Sequence, residues 1–519
     1  MRTHYPRTPH LPWSPGAAAD DVRATGLAGL EGREVVVTEK LDGENTTLYA
    51  DGLHARSMDS GHHPSRAWVK GLQGRIGRAI PDGWRVCGEN MYARHSIAYD
   101  DLDSWFYGFS VWDGEHCLDW DRTVAFLRRL GVPAPPVLWR GTFDERVLRK
   151  LRLDTTRQEG YVVRTVAGFE RAAFGGHVAK WVRGGHVQTD THWMHAAVVE
   201  NGLGPAAPLW AVRSGSTPDA AGLLAALRLP DAPGLRGLQD HQDHQDHQDH
   251  QDLRGARDGA ARAAERDGNR AVRAGEPAGD PARAAQWAAE CAADAAARLG
   301  LIGRSGDARL AGVLAALLHR THRAWLGPRL VGPLGMPAAR RVADLVGLSG
   351  RLHRPHPDEE RRSGLLRMAS AVDLGVLHAV AAATAPDTAA AEQADWSALH
   401  AEEAGLLVAD PLGPLRSGLR EALGGLGPDA ADRCWAQARE AYAEGRVRTV
   451  EEAVAATWRW RDGAFPHLVQ LVGPSGSGKS TFGRGSGAGA VVSLDDLRAA
   501  RGARADQRAN ADVLREGLA

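Results

Sequence analysis

Apolar and polar positions change their rhythm more than once along the 519 residues. Between about 30 and 183, short β-branched and aromatic runs of strand length alternate with Gly, Pro and Asp turns, the pattern of a strand-rich α+β region. Val35-Val36-Val37 leads one such run into Thr38-Glu39-Lys40; Trp84–Gly88, Trp105–Trp112 and Gly160–Arg164 are others. Thr123–Leu130 departs from alternation. Val124, Phe126, Leu127 and Leu130 recur at helical spacing, which predicts a helix lying with its apolar side on the sheet. Residues 1–30 carry Pro and His without periodicity and read as a lead-in.

From 231 to 282 the pattern dissolves into Asp-His-Gln triplets, Asp240-His241-Gln242 through Asp249-His250-Gln251, and then an Ala/Arg/Gly/Asp mixture. Such a stretch buries too little apolar surface to offset its chain entropy, so a disordered linker is expected and its histidines read as a repeat expansion. Residues 283–462 are rich in Ala, Leu and Arg, with Pro/Gly breaks near 304, 327, 335, 355, 386 and 413; they predict a helical domain. Its last helix opens on Thr449 with Glu452 three residues on, a capping box, and runs to about Trp460. After 463, His467–Val472 reads as a buried strand and Ala490–Ser493 as a second one.

Length favours about three domains with separate cores. Lys plus Arg number 63 against 64 Asp plus Glu, so the net charge of -1 provides no global field for nucleic acid, and phosphate binding must come from local patches. Cys87, Cys117, Cys291 and Cys434 stand far apart with no Cys-x-x-Cys spacing, which argues against a zinc ribbon or disulfide framework and fits a reducing cytosol. The start, Met1-Arg2-Thr3-His4-Tyr5-Pro6, has no signal-like apolar run, and no stretch of about eighteen apolar residues occurs. A cytoplasmic protein with no membrane partner is expected; the oligomeric state stays open.

Candidate chemistry centres on Lys40, between an apolar strand and the turn Asp42-Gly43. A lysine amine must lose its proton to attack phosphorus, so a partly desolvated seat near other positive groups is expected to depress its pKa. The turn would bring backbone close to a nucleotide, with Gly43 taking dihedrals that other residues resist. Along the chain follow Arg56, Gly88-Glu89-Asn90, Phe106–Asp113, Glu159-Gly160-Tyr161-Val162-Val163-Arg164 and Ala179-Lys180-Trp181. Together with Lys40 this order resembles the covalent nucleotidyltransferase superfamily, specifically its ATP-dependent RNA ligases, over about residues 30–200. The resemblance implies that ATP adenylylates Lys40 within a site that includes Glu39, Asp42 and Gly43. It further implies that Arg56 holds phosphate or ribose, Glu89 the ribose, Phe109 (or Phe106) the adenine, Glu159 a Mg²⁺ or Mn²⁺ ion, and Lys180 phosphates. RNA ends, tRNA among them, would be the partners. One departure is Val182, where the family often has a second lysine; Arg183 is the nearest substitute. The pair His62-His63 reads as a loop contacting RNA phosphates, since adjacent residues point apart and no third metal ligand is evident.

Gly473-Pro474-Ser475-Gly476-Ser477-Gly478-Lys479-Ser480-Thr481 matches G-x-x-x-x-G-K-[ST] after an expected strand. In such a loop Gly473, Ser475, Gly476, Ser477, Gly478 and Thr481 contribute to an ATP-phosphate cradle, Lys479 reaches the β/γ oxygens and Ser480 binds Mg²⁺. The following Leu494-Asp495-Asp496-Leu497-Arg498 resembles polynucleotide 5′-kinases, which implies Asp495 as general base and Arg498 as the grip on an acceptor phosphate. The alternative is an acidic pair that simply caps a helix. About forty residues follow the loop, so the kinase region is expected to be incomplete and to show little turnover. In the helical domain, His319 with Arg320, and later Asp373, faintly resembles HD-type phosphohydrolases, but Arg320 stands where their metal-binding Asp belongs.

The sequence therefore predicts a multidomain chain: an α+β nucleotidyltransferase (ligase) domain at 1–230, a linker at 231–282, an all-α and degenerate HD-like domain at 283–462, and a partial α/β P-loop kinase domain at 463–519. The function expected is ATP-dependent sealing of 5′-phosphate and 3′-hydroxyl RNA ends, with an associated 5′-hydroxyl kinase, in RNA repair. The alternatives are a DNA ligase or other nucleotidyltransferase, and a nucleotide-binding RNA sensor without turnover.

Overall fold

The computed structural model describes the chain except residues 1, 58–62, 186–196, 230–280, 357, 467–468, 472–475, 504–507, 509 and 519. The triplet run, His62, Gly473 and Ser475 thus lie outside the described residues. Two compact units are present: residues 1–418 with 438–453, and residues 419–437 with 454–519.

In the first unit ten strands form: β1 (Glu34–Lys40), β2 (Glu44–Tyr49), β3 (Gly52–Ala55), β4 (Trp84–Asn90), β5 (Phe106–Asp113), β6 (His116–Cys117), β7 (Val137–Thr142), β8 (Gly160–Thr165), β9 (Phe169–Glu170) and β10 (Val178–Val182). They make a four-stranded sheet, β10-β8-β1-β7, and a six-stranded sheet, β3-β2-β4-β5-β6-β9. All pairings are antiparallel. Strand alternation sorts the side chains of the smaller sheet. Val35, Val37, Tyr161, Val163 and Ala179 go into a core with Leu11, Leu30 and Leu148. Thr38, Val162 and Lys180 are register partners across three strands, and Lys40 shares their face two residues after Thr38.

The larger sheet packs Leu48, Val86, Phe106 and Val111 against helices Ala67–Ile76 and Trp120–Leu130. Each fully buried side chain of this kind contributes about 1.5–3 kcal/mol relative to exposure. The second helix begins where the Asp119 carboxylate accepts from Arg122 N at 2.7 Å and stops at Gly131, whose φ of 78° continues no helix. Its buried stripe is Trp120, Thr123, Phe126, Leu127 and Leu130. Thr123, rather than the expected Val124, completes the three- and four-residue spacing.

The lead-in is part of the fold. Lys180 N donates to Pro9 O (2.9 Å) and Leu11 N to Lys180 O (2.8 Å), so residues 9–11 run along β10 while Leu11 is fully buried. Sequence periodicity missed this because a segment bonded through its backbone needs no apolar alternation.

Helices Pro281–Leu301, Gly306–Leu317, Arg323–Leu334, Met336–Ser349, Asp358–Ala369, Leu374–Ala383 and Thr388–Glu403 follow. The break expected near 327 is not there: Pro328 lies inside Arg323–Leu334, and the buried stripe Leu326, Leu330, Leu334 holds that helix together across it. The Thr449 and Glu452 box is formed, with Glu452 N on Thr449 Oγ1 (3.3 Å) and Thr449 N on Glu452 Oε2 (3.2 Å), but the α-helix it opens is Val450–Ala456.

These helices dock on the β region through charge. The Asp307 carboxylate accepts from Arg213 Nε at 2.8 Å and from Arg128 Nε at 2.5 Å, while Ser305 Oγ donates to Arg129 O at 2.7 Å. Buried Arg309 donates to Val212 O (3.0 Å) and Ala296 O (2.6 Å). Removing one partner from a buried ion pair costs about 3–5 kcal/mol, because the other is left charged and unsolvated. No single helix among the described residues is long and apolar enough to cross a membrane.

In the second unit the helices are Lys479–Gly485, Leu494–Ala500 and Asn510–Leu518, after the short turn Trp458–Trp460. The second strand expected at Ala490–Ser493 does not form, and residues 469–471 are not in a strand either. Val469, Val491 and Val492 are 69%, 56% and 62% exposed. A β-branched run becomes a strand only where a neighbour takes its hydrogen bonds, and no such pairing is present here among the described residues. Ser493 instead caps the following helix, its hydroxyl accepting from Asp496 N at 3.2 Å.

Candidate active site

Between the two sheets of the first unit lies a cavity of about 190 Å³. Thr38, Lys40, Val162, Arg164 and Lys180 line it from the smaller sheet, and Asn45, Glu89, Phe109 and Ser110 from the larger. Arg56, one residue past β3, and Tyr5, Pro6 and Thr8 of the N-terminal segment complete the wall. Its volume is below the about 300–1,000 Å³ usual for small-molecule sites.

Lys40 ends β1 directly opposite Gly160. A Cβ on Gly160 would sit 1.9 Å from Trp181 O, so only glycine lets β8 and β10 close here. That closure brings the preceding Glu159, which is buried, onto the lysine: Lys40 Nζ donates to Glu159 Oε2 at 2.5 Å. The electrostatics reverse the sequence expectation. Burial by itself would lower the Lys40 pKa, but the Glu159, Glu89 and Asp42 carboxylates raise it above the ordinary lysine value. The depressed amine is Lys180, lowered first by burial and then by Lys40 and Arg56. Glu89 is pushed up to about 8, chiefly by burial and further by Glu159 and Asp42, with Lys40 opposing.

Asp42 and Gly43 play other parts than expected. The Asp42 carboxylate accepts from the amides of Ser96 (2.9 Å) and Ile97 (3.0 Å), and neither residue lines the cavity. Gly43 is required for space, since a Cβ would lie 2.6 Å from Asn90 O; its φ is not in the left-handed region. Glu39 does line the cavity. Its carboxylate accepts from Gln158 Nε2 at 2.9 Å, and burial raises its pKa.

Phe109 reaches the cavity through a bulge. Cys87 pairs with Ser110 and Gly88 with Gly108, so Phe109 is the extra residue on β5, and a bulge re-aims the side chain it carries. Phe106, the other aromatic candidate, is fully buried in the core. Tyr5 stands edge-on to Phe109 with ring centres 5.1 Å apart. Val182 is buried and outside the cavity; Arg183, half-buried, is also outside it, and its amide donates to Glu159 O at 3.0 Å.

Several lining residues were not foreseen. Asn45 Oδ1 is buried and has no hydrogen-bond partner, although it belongs to the stretch that begins at Lys40. Its spacing from Lys40 was a usable signal; the Tyr5–Thr8 wall left none. Arg164 is held over Trp120 and Phe169 at 5.6 and 5.5 Å from their ring centres.

Other sequence candidates are placed elsewhere. Asp373 is engaged by Arg304 Nε (2.8 Å) and caps Val376 N (3.2 Å), while His319 Nδ1 donates to Ala316 O (2.8 Å); these residues form no HD-type pair. His63 Nδ1 bonds Ser65 Oγ at 2.6 Å and caps a short turn. No cluster of three potential metal ligands is found among the described residues. In the second unit, Gly476 and Gly478 take φ of 78° and 84°, and helix Lys479–Gly485, which includes Ser480 and Thr481, starts after Gly478. Lys479 Nζ donates to Ser477 Oγ at 3.5 Å. Asp495 and Arg498 pair with each other, and Arg498 also donates to Asn510 Oδ1 at 3.0 Å.

Residues 33–182 match the family model for RNA ligase. No curated protein matches the chain. Among solved structures it is similar to Naegleria gruberi RNA ligase with PPi, at 19% identity and a TM-score of 0.24 over 32% of this chain and 55% of that one. It is also similar to a lysine-to-alanine variant of that ligase with ATP and Mn, at 18% and 0.24 over 32% and 56%, and to a glutamate-to-alanine variant with AMP and Mn, at 17% and 0.23 over 31% and 52%. The match spans about half the length of those ligases. The family match covers all ten strands and the cavity lining they carry; the N-terminal wall and the helical region lie outside it.

Proposed function

We propose that this protein is an ATP-dependent RNA ligase that joins 5′-phosphate to 3′-hydroxyl RNA ends through a lysyl-AMP on Lys40. The observation that carries the reading is the Lys40–Glu159 contact at 2.5 Å, set in a cavity that also presents Arg56, Glu89, Phe109 and Lys180.

The contact explains how the nucleophile is both kept and released. Held chiefly by the Glu159 carboxylate, Lys40 stays an ammonium and cannot attack. Glu159 Oε2, already bonded to Nζ, is the acceptor nearest its proton. Glu159 and Glu89 would hold a divalent cation, because they are buried carboxyl groups close enough for Glu159 to raise the Glu89 pKa, and a bound cation would favour the ionised form of both. Such an ion, when bound, supplies neutralisation of phosphate-oxygen charge. Neutral Nζ then attacks the α-phosphorus; the N–P bond forms, the bond to the β-phosphate bridging oxygen breaks, and pyrophosphate leaves. Arg56 and Lys180, both on the cavity wall, would hold triphosphate oxygens, and an added anion would relieve the strain that burial puts on the Lys180 charge. Phe109 offers its face to the base, and Asn45 Oδ1 can accept from a ribose hydroxyl or an ordered water. AMP next passes to the RNA 5′-phosphate, and the 3′-hydroxyl displaces it.

The test is incubation with α-labelled ATP. Covalent label that disappears in Lys40→Ala supports the reading, and an unlabelled wild-type protein overturns it. Sealing of RNA rather than DNA ends separates this function from DNA ligation.

A second reading attaches to Gly473–Thr481, as a phosphate cradle serving 5′-hydroxyl phosphorylation. The positive φ of Gly476 and Gly478 supports it, since this conformation aims successive amides at one point. Asp495 and Arg498 must first part from each other to act as base and phosphate grip. Transfer of γ-phosphate to a 5′-hydroxyl oligonucleotide, lost in Lys479→Ala and Asp495→Ala, is the measurement that decides it.

A further inference from the structure

A second cavity, of about 450 Å³, opens in the helical region of the first unit, outside the residues that match the ligase family. Leu352, Leu365 and Met368 contribute its apolar floor, and Arg351, Arg354 and Arg367 its cationic rim. His356 adds a further nitrogen base, and no carboxylate lines it among the described residues.

Several arginines of this region are matched to acids: Arg304 to Asp373 at 2.8 Å, Arg323 to Asp344 at 2.6 Å and Arg416 to Asp410 at 3.2 Å. The Arg351 and Arg354 guanidinium groups have no hydrogen bond or ion pair among the described residues, and Arg367 donates to the neutral Ser363 Oγ at 3.3 Å. Three guanidinium groups gathered at one mouth repel one another, and only an anionic partner turns that arrangement into a gain.

The floor narrows the choice of anion. Inorganic phosphate needs no apolar floor. A volume within the usual small-molecule range, walled by leucines and a thioether, accepts a planar heterocycle, and guanidinium planes both stack on bases and grip phosphate through paired N–H donors. We propose that this cavity takes one unstacked base of single-stranded RNA, with the flanking phosphates on Arg351 and Arg354. The proposal rests on the RNA ligase reading for its choice of polymer and gives the helical region a role in holding the RNA being joined.

Direct binding tests it in the full-length protein without ATP, using a fluorescent single-stranded 12-mer RNA with a 5′-phosphate. Arg351→Ser/Arg354→Ser should raise Kd at least about tenfold and reduce the slope of log affinity against log salt by about 1.4, two phosphates at about 0.7 each. Met368→Trp, which narrows the floor and keeps the charges, should weaken binding and leave the slope unchanged. Self-adenylylation with ATP alone should be the same in all three proteins, which also shows that each variant is folded. RNA binding within twofold of wild type in both variants overturns the proposal. Equal competition by poly-glutamate of matched charge overturns it too, since the rim would then be a surface for acidic protein. Loss of RNA binding in the variants of a protein that never becomes adenylylated would retain this site and remove the ligase reading.

Discussion

The nucleotidyltransferase-like cavity and the P-loop region carry sequence motifs of similar strength, yet only one is set in a scaffold. Around Lys40, two sheets fix Lys40, Glu159, Lys180, Glu89 and Phe109 by strand register, and the faces away from the cavity are buried. Around Lys479, Gly476 and Gly478 take left-handed dihedrals, but Val469, Val491 and Val492 face solvent and the described residues of the flanking runs form no strand. A motif states which groups the chemistry needs; the surrounding core decides whether they are held where the chemistry can use them.

Four outcomes would break or sharpen that contrast. The largest is in self-adenylylation. Lys40→Ala should lower it by about a thousandfold or more, and Lys40→Arg should do no better because a guanidinium does not deprotonate. Lys479→Ala should leave the label unchanged; a loss there as well would make the two regions one site. Next comes stability. Gly160→Ala drives a Cβ into Trp181 O and should cost about 1–3 kcal/mol or more in denaturant unfolding. Gly478→Ala meets no atom and bears only the left-handed φ, about 1–2 kcal/mol. Equal losses would show the P-loop region to be as tightly held as the β8–β10 contact.

The third outcome is a pH slope. Glu89 moves from an ordinary 4.5 to about 8 on folding, so the folded chain binds a proton there that the unfolded chain has released. Stability contributed by this group should therefore fall as pH rises between about 4.5 and 8, and Glu89→Gln should flatten urea midpoints measured across that range. An unchanged slope would place Glu89 in contact with solvent rather than in the enclosed site. The smallest effect is expected from deleting residues 239–252, which should leave RNA sealing within a few-fold of wild type. A larger loss, or zinc binding that vanishes with the histidines, would give the triplets a function.

How far these features could be read in advance follows the same physics. Lys40 was legible from the apolar run that leads into it, whereas Glu159, just before β8, and Lys180, on β10, were singled out through family resemblance. Phe109 was singled out through family resemblance, but the route by which it reaches the cavity was not legible: a bulge is a mismatch between two strands and leaves no mark on either alone. The wall from Tyr5 to Thr8 was missed for a related reason, since its neighbours at 9–11 are held by backbone hydrogen bonds to β10, which any side chains permit. Lys40's environment was foreseen with the wrong sign. Sequence order lists the carboxylates but does not say that Glu159, Glu89 and Asp42 all come within range of one ammonium. In the P-loop region, hydrophobicity predicted strands that the described residues do not form, because a run of valines reports a wish for burial and not the presence of a partner.

The Asp307 clasp has a consequence for how this gene could be cut. Asp307 lies after the triplet run and Arg213 and Arg128 lie before it, so the two flanks are joined by ion pairs and by Arg309 as well as by the intervening peptide. A polypeptide opened between 231 and 280 should stay associated as two fragments, and the halves should be able to find each other when made from separate reading frames. The clasp would then serve as the assembly code of a split enzyme, with Asp307→Ala as the change that keeps the halves apart.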